Sequence, residues 1–150
     1  MADEKKNQQT ILVHIRRFNP EKDDAPHWER YEVETRPGMT VLDALHFIKE
    51  NRDHTICYRF SCRMGVCGSC GMLINGSPTL ACNTQLKDVA DGEIAVAPLP
   101  NFDIMKDLVP DLRPMFRKHI ELQSHLQRND TDEMEHPAGE YLQTPEERAA

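Results

Sequence analysis

Long hydrophobic runs are missing from this 150-residue chain, whose mean hydropathy is −0.64. No apolar stretch approaches the roughly 20 residues that a bilayer-spanning helix needs, so no direct membrane span is expected. The first ten residues, MADEKKNQQT, lack the apolar segment of a secretory signal and the arginines of a transit peptide. Basic charge is also scarce. Eighteen Lys and Arg face 25 Asp and Glu, giving a net charge of −7 without a basic block. Phosphate contacts need clustered cations, so no nucleic-acid partner is expected. No Ser/His/Asp set, phosphate loop or acid pair stands out, and the seven scattered histidines read as surface or packing residues. The chain therefore shows no catalytic residues and no substrate chemistry of its own.

What is present is a pattern of short elements. Ile11 to Phe18 reads as a strand, NPEKDDAP as a turn, and Trp28 to Thr35 as the returning strand of a hairpin. Thr40 with Asp43 gives a capping-box-like start to a helix over about Val41–Asn51, with Val41, Leu42, Leu45 and Ile48 on one face. Met72 to Ile74 runs into the tight-turn pair Asn75-Gly76, and a strand follows toward Cys82. Glu93 to Ala97 reads as a last strand. Together these predict an α+β fold, a mixed sheet with one packed helix. Beyond Pro100 the expectation is helical, with a short helix over Phe102–Val109 and a second capped by Asp111. The second carries a stripe of Leu112, Phe116 and Ile120, with Met115, Leu122 and Leu126 nearby. The expected division is a cluster-type domain over 1–104 (core about 11–100), a helical linker over 105–128 and an acidic polar tail over 129–150.

The five cysteines all lie between Cys57 and Cys82. An odd count without a signal peptide argues against a disulfide framework and for a metal site. Cys62, Cys67, Cys70 and Cys82 are spaced C-x4-C-x2-C-x11-C, and the first three reproduce the start of plant-type [2Fe–2S] ligation. A cluster concentrates negative charge, so a short loop that can turn backbone N–H groups toward sulfur suits it. Gly65, Gly68 and Gly71 give that loop its freedom, and Ser61, Ser69 and Arg63 add donors or positive charge. A structural zinc site also uses four cysteines, but in two close knuckles, and Cys82 has no near partner. Cys57 fits no ligand register and reads as a small buried hydrophobe. Arg16-Arg17 and Arg59 read as solvated charge or as partner contacts.

The run Tyr58-Arg59-Phe60-Ser61-Cys62-Arg63-Met64-Gly65-Val66-Cys67-Gly68-Ser69-Cys70-Gly71 resembles the cluster loop of the iron–sulfur subunits of succinate dehydrogenase and fumarate reductase. Ile74-Asn75-Gly76 and Leu80-Ala81-Cys82 resemble the hairpin and fourth ligand of that family. Pro98 to Val109 resembles the segment leading out of its ferredoxin domain. The resemblance covers about Ile11 to Leu126. It implies a β-grasp, [2Fe–2S] ferredoxin-like fold with Cys62, Cys67, Cys70 and Cys82 as ligands. It also implies electron relay beside the FAD of a flavoprotein subunit, with membrane anchor subunits and quinone reached through the full complex. The expected location is peripheral, on the cytoplasmic side of the inner membrane. Two departures stand out: Phe60 where a second arginine is common, and Met64 where an acid is common.

Family members continue into a helical domain holding a [4Fe–4S] and a [3Fe–4S] cluster, and no cysteine follows Cys82 here. Those clusters are expected only if a further domain exists, and a truncated form, a fragment or a split subunit is the expectation. Two other readings stay open. Small iron–sulfur subunits of molybdenum hydroxylases share C-x4-C-G-x-C but need four more cysteines. A zinc-stabilised interaction module needs the same four thiols and no redox chemistry.

Overall fold

The computed structural model describes residues 9–124, 136, 138–140 and 142–149. Inward positions of period two decide the sheet. In β1 (Thr10–Arg17), Ile11, Val13, Ile15 and Arg17 are buried while the alternate residues are not. β2 (His27–Glu34) returns antiparallel in the register Val13↔Tyr31, close to the hairpin expected from sequence. The helix α1 spans Val41–Asn51 and buries Val41, Leu42, Ala44, Leu45 and Ile48. Its capping box is complete: Asp43 N–H donates to Thr40 Oγ1 at 3.2 Å, and Thr40 N–H donates to Asp43 Oδ2 at 2.9 Å.

β3 (Gly71–Ile74) and β4 (Ser77–Leu80) form the second hairpin. Asn75 and Gly76 both have positive φ, 49° and 80°, as a two-residue turn requires. A short helix α2 (Leu86–Val89) precedes β5 (Glu93–Ala97). β5 inserts between the hairpins, parallel to β1 and antiparallel to β3, so the order among the described residues is β2-β1-β5-β3-β4. The core lies between this mixed sheet and α1, and its side chains include Val13, Ile15, Leu45, Ile48, Met72, Ile94 and Val96.

The segment after Pro100 departs from the helical expectation. Over 102–109 the chain forms strands instead, β6 (Ile104–Lys106) against β7 (Val109–Pro110). Asn101 and Asp107 sit at φ 66° and 47°, a left-handed conformation that an α-helix interior does not tolerate. Asp107 is held there by its buried carboxylate, described below. Contacts divide the chain into two compact units, Met1–Leu112 and Arg113–Ala150, and β6 and β7 fall in the first as a two-stranded sheet of their own. In the second unit, α3 (Arg113–Glu121) is the helix expected after Asp111, and Met115, Phe116 and Ile120 on it are exposed. Leu126, His125 and residues 129–135, 137, 141 and 150 of the tail lie outside the described residues; within the tail, α4 spans Pro145–Ala149.

Candidate metal centre

The second hairpin closes the widest gap in the cysteine pattern. Cys70 ends the loop just before β3, and Cys82 lies just after β4. Ala81 N–H donates to the Cys70 carbonyl at 3.1 Å, so the two cysteines arrive side by side. The first turn of α1 fixes the far side. Its N–H groups have no partner within the helix, and two of them take the chain around Cys82: Leu42 N–H to Ala81 O at 3.0 Å and Val41 N–H to Thr84 O at 2.9 Å.

Between Ser61 and Gly71 the loop has no regular structure, as expected, and its backbone turns repeatedly. Arg63, Gly65 and Gly68 have φ of 57°, 72° and 75°. That conformation aims amides at sulfur. Met64 and Cys67 N–H donate to Cys62 Sγ at 3.5 and 3.3 Å, Ser69 N–H to Cys67 Sγ at 3.5 Å, and Gly65 N–H to Cys82 Sγ at 3.3 Å. Gly71 serves a different need, since a Cβ there would lie 3.2 Å from the Gly68 carbonyl oxygen.

The four thiols form two pairs. Cys62 interacts with Cys67, and Cys70 with Cys82. Their surroundings differ. Cys70 is buried, and desolvation pushes its thiol up. Cys67 is exposed, and the Ser69 hydroxyl, with backbone amides behind it, pulls its thiol down to about 6. Among the described residues, no three Cys, His, Asp or Glu side chains gather closely enough to hold a single metal ion. Two thiol pairs joined by the Gly65–Cys82 contact, and ringed by N–H donors, are a donor set that fits two irons with two thiolates each. Cys57 stays apart from them. Its backbone, not its sulfur, is engaged: its N–H donates to Asp107 Oδ2 at 2.9 Å and its carbonyl accepts from Leu108 N–H at 3.1 Å.

Two groups near the loop escaped the sequence reading. Arg17, read there as solvated charge or a partner contact, is 7% exposed. Its Nε donates to Asp107 Oδ1 at 3.0 Å, Nη1 to Glu29, Asp53 and Tyr31, and Nη2 to Thr55 Oγ1 at 2.8 Å. Burial alone would weaken the guanidinium charge, but the hydrogen bonds to Asp107 and Asp53 outweigh it. Asp107 also accepts from Phe18 N–H at 3.1 Å. The signal was present, because Arg17 continues the inward set Ile11, Val13, Ile15. The second group is His46, whose Nδ1 is hydrogen-bonded to the Tyr58 hydroxyl at 2.7 Å and whose Nε2 is buried without a hydrogen-bond partner.

Comparison with known proteins gives the family. Residues 12–117 match the 2Fe-2S iron-sulfur cluster binding domain family, and the chain belongs to that family. The chain is similar to the fumarate reductase iron-sulfur subunit of Mycobacterium tuberculosis, with 43% identity over 137 residues covering 91% of this chain and 55% of that protein. Its likeness to the corresponding subunit of Escherichia coli is 48% over 102 residues, covering 68% of this chain and 41% of that one. The mitochondrial succinate dehydrogenase [ubiquinone] iron-sulfur subunit of Candida glabrata is 43% identical over 118 residues, covering 77% and 47%. A chain of the Mycobacterium smegmatis Sdh1 complex in the apo form superposes with a TM-score of 0.78 at 29% identity, covering 93% of this chain and 56% of that one. The chain thus spans about half the length of the curated relatives it matches. The fold agrees with the mixed, ferredoxin-like sheet expected from sequence, and no described helix is long and apolar enough to cross a membrane.

Proposed function

We propose that Cys62, Cys67, Cys70 and Cys82 ligate one [2Fe–2S] cluster, and that this chain is a one-electron relay within a succinate dehydrogenase or fumarate reductase complex. The observation that carries the reading is the arrangement of two thiol pairs under four backbone N–H donors. When bound, such a centre supplies a one-electron couple. The chain's own residues do the rest. The amides offset negative charge on sulfur, the Cys70 side is buried against the core, and the Cys67 side is open.

That open side is apolar at its rim, with Met64 72% and Val66 78% exposed. Exposed apolar side chains beside a redox site suit a docked partner. The partner proposed is an FAD-containing flavoprotein subunit, with electrons passing on to further clusters and quinone through the complex. Residues 9–112 form the cluster module in this reading, and attachment at the cytoplasmic face of the inner membrane comes through partners.

Iron and sulfide quantitation on the chain expressed in iron-replete cells tests the ligand set, together with paramagnetic resonance after one-electron reduction. About two irons and two sulfides per chain are expected. Colourless protein containing zinc would overturn the proposal. Co-expression with the flavoprotein subunit tests the partner, and a cluster-loaded chain that never captures it would refute that part alone.

A further inference from the structure

A column of rings connects α1 to the first cysteine of the loop. The Tyr58 hydroxyl and His46 Nδ1 are hydrogen-bonded at 2.7 Å, and the His46 and Phe60 rings meet edge to face, with centroids 4.6 Å apart and planes at 87°. The other ring nitrogen, Nε2, is buried without a conventional partner. Burial and the nearby Arg63 charge both hold His46 toward the neutral form. Beyond Phe60 comes Arg63 itself, its guanidinium carbon 5.1 Å from the ring centroid. Arg63 directly follows Cys62, and its own backbone is in the left-handed region that bulky side chains rarely adopt.

Nothing in ligation requires this column. An exposed arginine would ordinarily sample many rotamers and spend little time near any one sulfur. Here the Phe60 face gives it a seat, and His46 and Tyr58 give Phe60 a fixed edge. Reduction adds one negative charge to the site, so a seated cation favours the reduced state more than a wandering one.

We propose that Phe60 and His46 are positioning residues that seat the Arg63 guanidinium beside the cluster loop, and that this seated charge raises the reduction potential of the centre. The inference rests on the ligand set proposed above.

The test is a redox titration of the cluster-loaded chain, followed by paramagnetic resonance, in a double-mutant cycle. Arg63→Gln is expected to shift the one-electron equilibrium three- to tenfold toward the oxidised form, tenfold being about 59 mV. Phe60→Leu keeps the charge and removes its seat, so it should give a smaller shift in the same direction. In the Arg63→Gln background, Phe60→Leu should then add nothing. Phe60→Trp keeps an aromatic face and should restore the original potential. The Arg63→Gln shift should shrink at high salt, because an exposed charge is screened. An unchanged potential in Arg63→Gln overturns the inference, as does an equal Phe60→Leu effect with and without Arg63. Failure of every variant and the parent to hold iron would instead refute the ligand set.

Discussion

The Arg17–Asp107 knot meets the lead-in to the cysteine loop at the Cys57 amide, yet knot and loop treat charge in opposite ways. In the knot, a 2% exposed carboxylate and a 7% exposed guanidinium are sealed from water, with every visible oxygen and nitrogen engaged. In the loop, Cys67, Met64 and Val66 face outward, the sulfurs are met by backbone amides, and the one cation held nearby, Arg63, stays exposed on the Phe60 ring rather than sealed against a carboxylate. The knot ties β1, β2, the lead-in to the loop and the β6–β7 turn into one body. The loop, anchored at that end, keeps its Cys67 side open.

The largest expected effect breaks the knot. Asp107→Ala removes the acceptor for Arg17 Nε and for the Phe18 and Cys57 amides, and it leaves a buried charge short of its partner. Losses of this kind run to ~3–5 kcal/mol. Urea unfolding of the cluster-loaded protein measures it. Adding Arg17→Met should recover part of the loss, since the orphaned charge goes too. A drop under 1 kcal/mol for Asp107→Ala would mean that Asp53 and Glu29 satisfy Arg17 without it.

How much of this contrast was readable in the chain follows from where each feature gets its energy. The loop and hairpin were legible because they are local: glycine positions, the Asn75-Gly76 turn and cysteine spacing each act within a few residues. The same holds for α1, where the capping box and the apolar face of Val41–Asn51 agree with the observed helix. β5 inserting between two hairpins, parallel to β1, was not legible, because that pairing joins residues some 80 apart and leaves no local mark. The strands over 104–110 were misjudged for a physical reason. Asp107 gives up helical geometry for a carboxylate site assembled by Arg17, Phe18 and Cys57, and tertiary hydrogen bonds outweigh local propensity there.

Two glycines sharpen the comparison within the loop. Gly71→Ala places a Cβ 3.2 Å from the Gly68 carbonyl oxygen, a close contact that a shift of a few tenths of an ångström would relieve. Gly68→Ala meets nothing within 4 Å but must hold φ 75°, a conformational cost of ~1–2 kcal/mol. The first variant strains the junction with β3 and the second only the turn. Because the junction can relieve its contact while the turn must keep its φ, thermal unfolding should rank Gly68→Ala as the less stable, and the reverse order would show the junction to be rigid.

Acid separates the two regions by titration. Burial works against the Asp53 charge, but the Thr55 hydroxyl and amide, Arg17 and Tyr31 outweigh it and hold the carboxyl far below its usual range. The unfolded chain therefore protonates Asp53 at a higher pH than the folded one. Its contribution is complete above the ordinary carboxylate pKa of about 4 and is lost as pH falls toward the folded value. Asp53→Asn should lower stability at neutral pH and flatten the decline below about pH 4. A decline just as steep in the variant would assign the acid sensitivity elsewhere, with Asp43 at the α1 cap, also held low, the next group to replace.

The smallest effect on folding should accompany a definite effect on assembly. Met64 and Val66 are 72% and 78% exposed, so replacing both with serine removes little buried area and should change stability by no more than about 0.5 kcal/mol. If the rim is where the flavoprotein docks, the same pair of substitutions strips apolar contact from the interface. A loss of ~1.4 kcal/mol there is a tenfold weaker affinity. Cluster content and the paramagnetic signal should be unchanged, because the amides that face Cys62 and Cys82 belong to the backbone. Titration of the loaded chain against its flavoprotein subunit reads the affinity, and urea unfolding reads the stability. An unchanged affinity would move the docking face away from the loop. A large loss of stability would mean that the rim supports the fold, and the division between a sealed scaffold and an open, unburdened loop would fail.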